Sequence, residues 1–377
     1  MAKKVLFLVT GMTPQIITET VWALACDPEN EEKWIPDEIY VMSTEDGLNQ
    51  IRKRLFEDGV FLQFQQDYPQ LAQVQFSTDS LHAIKNQAGQ VLTDLKTPED
   101  NQLAGDSICS IIQDFTKDDN VSLHVSIAGG RKTMGFYAGY ALSLYGRAQD
   151  RMSHVLVEDK FEPVNDFFYP TPETHYVTNR DGKVLDAKEA LVWLANVEFV
   201  RMKDAIKDKH QLKGEDSFSQ VVNKINESFN DVVLKINLHK RTVQVNDKFL
   251  IKDLSPREFA MLHWFADRRK QGLGGIVAPR VNASSTKKIS EDERLYLQKL
   301  TQDFKPYYEA FKNTDDIIFD VDSKFFESVK SHLKSSLETN LGLELAAKIA
   351  IKQEKKGQPF HLDLPADAIE IIDTFKD

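Results

Sequence analysis

Short apolar runs alternate with helical spacing along the first 180 residues. Val5–Val9 reads as a strand, and Ile17, Val21, Leu24 and Ala25 behind it share one face of a 3.6-residue repeat. Ile39–Met42 is the next strand, with a helix from about Leu48, and Val74–Phe76 is a weaker strand. Ile108–Phe115 lies in a helix, and Leu123–Ile127 is again a strand. Met134, Tyr137, Ala138, Ala141, Leu144 and Tyr145 then mark one helical face, and Val155–Val157 closes the series. Such β-α alternation predicts an α/β fold, with a mostly parallel sheet covered by helices on both faces.

After Tyr169 the pattern changes. Tyr176-Val177 and Val184-Leu185 flank Asn179-Arg180-Asp181-Gly182, which predicts a hairpin, followed by a helix carrying Leu191, Leu194 and Ala195. Polar residues from Lys207 to Ser217 suggest a linker. Leu234, Ile236 and Leu238, then Val243 and Val245, alternate with polar residues as antiparallel strands do. Ser255, Pro256 and Glu258 supply an N-cap, a first-turn proline and a capping box for the next helix. A second amphipathic helix buries Phe326, Val329, Leu333 and Leu337 and turns Lys330, Ser331, Lys334 and Ser335 outward. Ile349–Ile351 and Phe360–Leu362 flank Lys355-Lys356-Gly357 as a basic-tipped hairpin. These pieces predict a smaller α+β winged-helix domain over residues 235–377, with an insertion at about 268–322. The N-terminal domain is expected over 1–206 and the linker over 207–234.

The chain has 377 residues, 41% of them hydrophobic and 28% charged, with two cysteines. Those proportions suit two globular domains and exclude collagen, low-complexity disorder and a disulfide-stapled scaffold. Val5–Val9 is too short to cross a bilayer, so a cytoplasmic location with no membrane partner is expected. The net charge of −11 sits wholly in residues 1–180, with 15 basic against 26 acidic side chains; the remainder holds 32 of each. An acidic N-terminal half disfavours long nucleic acid outside a local basic pocket, whereas the C-terminal half can present a basic face.

Two strand-end loops carry the chemistry. Thr10-Gly11-Met12-Thr13-Pro14-Gln15 leaves the first strand, and Ser126-Ile127-Ala128-Gly129-Gly130-Arg131-Lys132-Thr133 leaves a later one. Open parallel sheets bind ligands outside the carboxyl ends of their strands. Helix-start N–H groups attract anions there, and glycines allow close backbone approach. Arg131 and Lys132 add positive charge to an otherwise acidic domain, so a compact phosphate ligand is the expectation, and neither loop has Walker A or dinucleotide-fingerprint spacing. No His-Glu-x-x-His or Cys-x-x-Cys pattern is present, and no metal or other cofactor is expected.

These loops, with Ile17-Thr18-Glu19-Thr20, His154–Val157, Phe167–Pro170 and Phe199-Val200-Arg201, resemble the CRISPR-associated CARF family over about residues 3–205. Val197-Glu198 departs from that family's apolar-Pro pair. The resemblance implies a Rossmann-like homodimer that binds a cyclic oligoadenylate, most readily the four-membered ring. In ring nucleases of that family the ring is also cut, which switches off antiviral signalling. Cleavage can use the RNA's own 2′-hydroxyl without metal, with Lys132 as the charge donor and Arg131 and Ser126 assisting. Thr10, Gly11, Met12, Thr13, Gln15, Gly129, Gly130 and Thr133 are the candidate ligand contacts.

The alternative is a regulator that senses the ring without cutting it and binds duplex DNA. Lys330, Lys334, Lys355 and Lys356, with the acid-free segment from Arg268 to Lys288, are its candidate phosphate contacts. Arg257 and His263 have the spacing of a HEPN ribonuclease motif. On a continuous helix they point about 240° apart, so the match is set aside.

Overall fold

The computed structural model describes residues 2–86, 88–206, 214, 216–283, 289–309 and 319–373. Contacts divide the chain into two compact units, Met1–Asp208 with Ser217–Ser219, and Lys209–Asp216 with Gln220–Asp377.

The first unit is an α/β sandwich. Its strands are β1 (Lys3–Val9), β2 (Glu38–Ser43), β3 (Leu81–Ala83), β4 (Val121–Ser126), β5 (Arg151–Val157) and, after the hairpin β6 (Tyr176–Thr178) and β7 (Val184–Asp186), β8 (Val192–Asn196). The six-stranded sheet runs β3-β2-β1-β4-β5-β8, parallel except where β8 meets β5. Alternate residues of β1 serve opposite faces. Leu6 and Leu8 pack under α1 (Gln15–Ala25) with Ile17, Val21 and Leu24. Val5, Phe7 and Val9 pack under α4 (Pro98–Lys117) and α5 (Lys132–Tyr145) with Ile108, Ile112 and Ala138.

Three sequence expectations are corrected here. Val74–Phe76 forms only a single bridge, Gln75 to Glu38, and the edge strand is Leu81–Ala83. The helix placed at Leu191–Ala195 is strand β8: Val192 is buried and Trp193 half exposed, a period of two that the spacing of Leu191, Leu194 and Ala195 disguised. The helix from Leu48 starts earlier, as α2 (Glu45–Ile51), and widens into a π-helical turn at Arg52–Glu57 before α3 (Val60–Asp67).

At the opposite end of the sheet from the strand-end loops, Arg147 and Asp150 form a buried ion pair at 2.9 Å. The guanidinium also donates to the carbonyls of Asp118 and Val121. Arg201 donates to the carbonyls of Arg147 and Asp150, tying the segment after β8 to the same turn. Removing one member of such a pair strands the other charge and costs about 3–5 kcal/mol.

In the second unit, the sheet runs β11 (Phe249–Ile251), β10 (Thr242–Val245), β9 (Leu234–Asn237) and β14 (Ile369–Ile372). Helix α6 (Phe218–Glu227), in the segment expected to be linker, crosses the boundary between the units. Helix α7 (Pro256–Lys270) has the predicted capping box at Ser255 and Glu258. Part of the segment read as an insertion is a core helix, α8 (Glu291–Glu309), whose Leu300, Phe304 and Tyr308 join the core. Burying Phe304 completely contributes about 1.5–3 kcal/mol. Helix α9 (Ser323–Leu341), α10 (Leu343–Lys348) and the hairpin β12 (Ile351–Lys352) and β13 (His361–Leu362) complete the unit. No described helix is long and apolar enough to cross a membrane.

Candidate functional site

Strands β1 and β4 lie side by side in parallel, with Leu8 opposite Ser126. Helix α1 leaves β1 toward one face and α5 leaves β4 toward the other, so a crevice opens between their loops. Glycine lets the two loops touch. The Gly11 N–H donates to the Gly129 carbonyl at 2.9 Å, and a Cβ on Gly11 would stand 2.7 Å from that oxygen. Gly129 itself has φ +78°, a conformation that favours glycine. The Ser43 hydroxyl donates to the Thr10 carbonyl at 2.7 Å and steadies the first loop from β2.

The result is a cavity of about 440 Å³. Thr10, Gly11, Met12, Gly129, Gly130 and Arg131 line it, as the two loops predict, together with Thr44, Asp46, Thr93 and Asp94. Thr10 is fully buried, and its hydroxyl has no hydrogen-bond partner among the described residues. Met12 is exposed over the opening.

The remaining candidates fall outside the lining. Ser126 is corrected: as the last residue of β4 it is fully buried, its hydroxyl 3.4 Å from that of Thr20, so it cannot reach a ligand without the sheet opening. Gln15 donates to the Asn165 carbonyl at 2.7 Å instead of facing the cleft. Thr133 donates to the Asn101 side chain at 2.8 Å, and Thr13 is exposed. Lys132, the first residue of α5, is exposed at the rim and makes no ion pair among the described residues.

Asp94 was missed because residues 84–97 carry no periodicity that marks them. Both its oxygens accept from the Arg131 guanidinium at 2.8 Å, which holds the carboxyl below its ordinary range. With Asp46 beside it, the charged lining of the cleft is two carboxylates against Arg131, a balance of −1. What the cleft offers an anion is backbone N–H groups and the start of α5, with exposed Lys132 adjoining.

In the second unit, Lys330 is corrected from an outward-facing cation. Its ammonium lies 3.9 Å from the Phe360 ring centroid and pairs with Glu327 at 2.8 Å. Lys334 is exposed and reaches Glu338 at 3.7 Å, and Lys355 and Lys356 are exposed at the hairpin tip. Arg268 pairs with Asp303, while Arg269 and Lys270 donate to the carbonyls of Leu364 and Ile369. Lys287 and Lys288 lie outside the described residues. Arg257 lies over the Phe325 ring and His263 packs edge-on against Tyr307, so the two do not form one site. Among the described residues no cluster of His, Cys, Asp or Glu is arranged to hold a metal.

Residues 13–230, more than half of the chain, match the family model described as CRISPR-associated protein NE0113 (Cas_NE0113). The match starts at Thr13, inside the first loop, and takes in the whole of the second. No curated protein matches the chain.

Proposed function

The chain belongs to the CRISPR-associated NE0113 family, and from that premise we propose that it binds a cyclic oligoadenylate, the four-membered ring first, at the cleft between Gly11 and Gly129. The observation that carries this reading is the glycine-to-glycine contact at a sheet switch point, with a buried unpartnered Thr10 hydroxyl below it. That arrangement suits a phosphate and ribose held by backbone and hydroxyl groups. A two-fold ring on the axis of a homodimer brings one Lys132 from each copy to opposite phosphates.

The reaction needs no outside nucleophile. A 2′-oxygen attacks the adjacent phosphorus, the bond to the 5′-oxygen breaks, the 2′-proton is released and the leaving oxygen is protonated. The product is a linear adenylate ending in a 2′,3′-cyclic phosphate. Lys132 stabilises the charge gathering on the phosphate.

A second reading, binding without cleavage, is favoured by one observation: Arg131 is neutralised by Asp94 and Lys132 stands outside the cleft lining. In that reading ring occupancy tunes a winged-helix domain on duplex DNA. Labelled cyclic tetra-adenylate incubated with the full chain in chelator separates the two. Linear products support cleavage, an intact bound ring supports sensing, and no retained ring sinks both.

A further inference from the structure

Of the two carboxylates lining the cleft, Asp94 is taken by Arg131. Asp46 is exposed and has no ion pair or side-chain hydrogen bond among the described residues. Its place is fixed by a close approach. Asp46 stands in the first turn of α2, followed by Gly47. A Cβ on Gly47 would lie 2.5 Å from the Gly11 carbonyl oxygen and closer still to the Ser43 hydroxyl. With no side chain there, the turn rests directly on the first loop and sets Asp46 in the same lining as Gly11 and Met12.

Topology separates Asp46 from the groups that attract anions. Helix α2 follows β2 and α5 follows β4, and those two strands flank β1 on opposite sides. Their ends stand two interstrand spacings apart, about 10 Å. The α5 side offers a helix start, Gly130 and Lys132, whereas the α2 side offers an unpaired carboxylate. Phosphate and Asp46 repel each other, so the phosphates belong on the α5 side and the group that meets Asp46 must be a donor.

A ring of adenylates carries two kinds of donor, the 2′-hydroxyl and the 6-amino group of the base. The 2′-hydroxyl adjoins the phosphate, so a carboxylate beside it would face that charge. The 6-amino group lies at the far edge of the base and can span the cleft. We propose, resting on the cyclic-oligoadenylate reading, that Asp46 determines base specificity by accepting a hydrogen bond from the 6-amino group of adenine. A base edge that carries only acceptors is rejected, because it turns a lone pair toward the carboxylate.

The test is calorimetric binding of two rings to the full chain: cyclic tetra-adenylate, and the same ring built from purine riboside, which lacks the 6-amino group. The adenine ring should bind at least about tenfold more tightly. Asp46→Ala should abolish that preference, whereas Asp46→Asn, which keeps an accepting oxygen, should retain part of it. Lys132→Ala should weaken both rings alike and leave their ratio unchanged, and melting curves without ligand verify that each variant is folded. Equal affinity of the two rings for the unaltered chain overturns the proposal and leaves the cyclic-oligoadenylate reading standing. So does a preference that survives Asp46→Ala, or equal tightening of both rings by that variant, which would mark simple repulsion of phosphate. Failure of cyclic tetra-adenylate to bind overturns both.

Discussion

At the start of α5, Arg131 donates to both carboxylate oxygens of Asp94 while its neighbour Lys132 stays exposed and unpaired among the described residues. On α9 and its surroundings, Lys330 is spent on Phe360 and Glu327, Arg268 on Asp303, and Arg269 and Lys270 on backbone carbonyls. Among the described residues, the acidic unit thus leaves Lys132 without an ion pair beside a cleft, and the unit with balanced charge commits much of its basic patch to its own fold. Counting charges along a chain overstates what a ligand can meet. What matters is which cations the fold has left without an internal acceptor.

Lys132→Ala is the sharpest way to break this comparison. On the cleavage reading it should slow ring opening about a hundredfold or more in single turnover, while Arg131→Ala, whose guanidinium is already occupied, should cost far less. Equal losses would mean that Asp94 releases Arg131 on binding and that the contrast between neighbours is false. Next in size, Gly11→Ala forces a Cβ to 2.7 Å from the Gly129 oxygen. It should lower stability by about 1–3 kcal/mol in denaturant melts and weaken ring binding. Gly274→Ala in the second unit, where a Cβ meets open space, should change stability by less than about 0.5 kcal/mol.

A smaller effect tests the second unit. On the DNA-binding reading, Lys355→Ala with Lys356→Ala should flatten the logarithmic salt dependence of duplex binding by about 1.8, near 0.9 for each lost phosphate contact. Lys330→Ala should leave that slope alone and lower the melting temperature. A slope change with Lys330→Ala would show that its contact with Phe360 yields to DNA.

A pH effect at Glu19 probes the first unit away from its loops. Burial, aided by the Glu162 charge, raises its carboxyl from 4.5 to about 8. Between those values the folded chain holds a proton that the unfolded chain has lost, so this group makes stability fall as pH rises across that window. Melting curves from pH 5 to 8 should show the decline, and Glu19→Gln should flatten it. An unchanged slope in that variant would place the titration elsewhere.

Much of the architecture was legible because it follows from periodicity. The buried alternation of β1, the stripe of α5 and the Ser255 capping box each declare themselves within a few residues. Strand β8 did not, because in five residues helical and strand spacing share the same apolar positions. Helix α8 carries Leu297, Leu300 and Phe304 at helical spacing, but its place between two recognised helices drew it into an insertion. In the site, the two loops were legible from their glycines. That Gly11 meets Gly129 and that Asp94 captures Arg131 was not, because both depend on contacts between residues far apart in sequence. Ser126 was misjudged for a related reason: the strand read at Leu123–Ile127 already held it, but only the packing shows its hydroxyl buried beside that of Thr20 instead of facing the cleft.

The knot formed by Arg147, Asp150 and Arg201 has a mechanical consequence. Tension applied to the chain at residue 206 passes first to Lys203, which donates to the Thr116 carbonyl, and then to Arg201 and its two carbonyl acceptors. Only after those bonds yield does load reach the edge strand β8 and the sheet. The clamp sits at the end of the strands remote from the cleft, so it acts as a strain relief. Pull delivered through residue 206 therefore loads hydrogen bonds at the far end of the strands before it loads the glycine contact at the cleft.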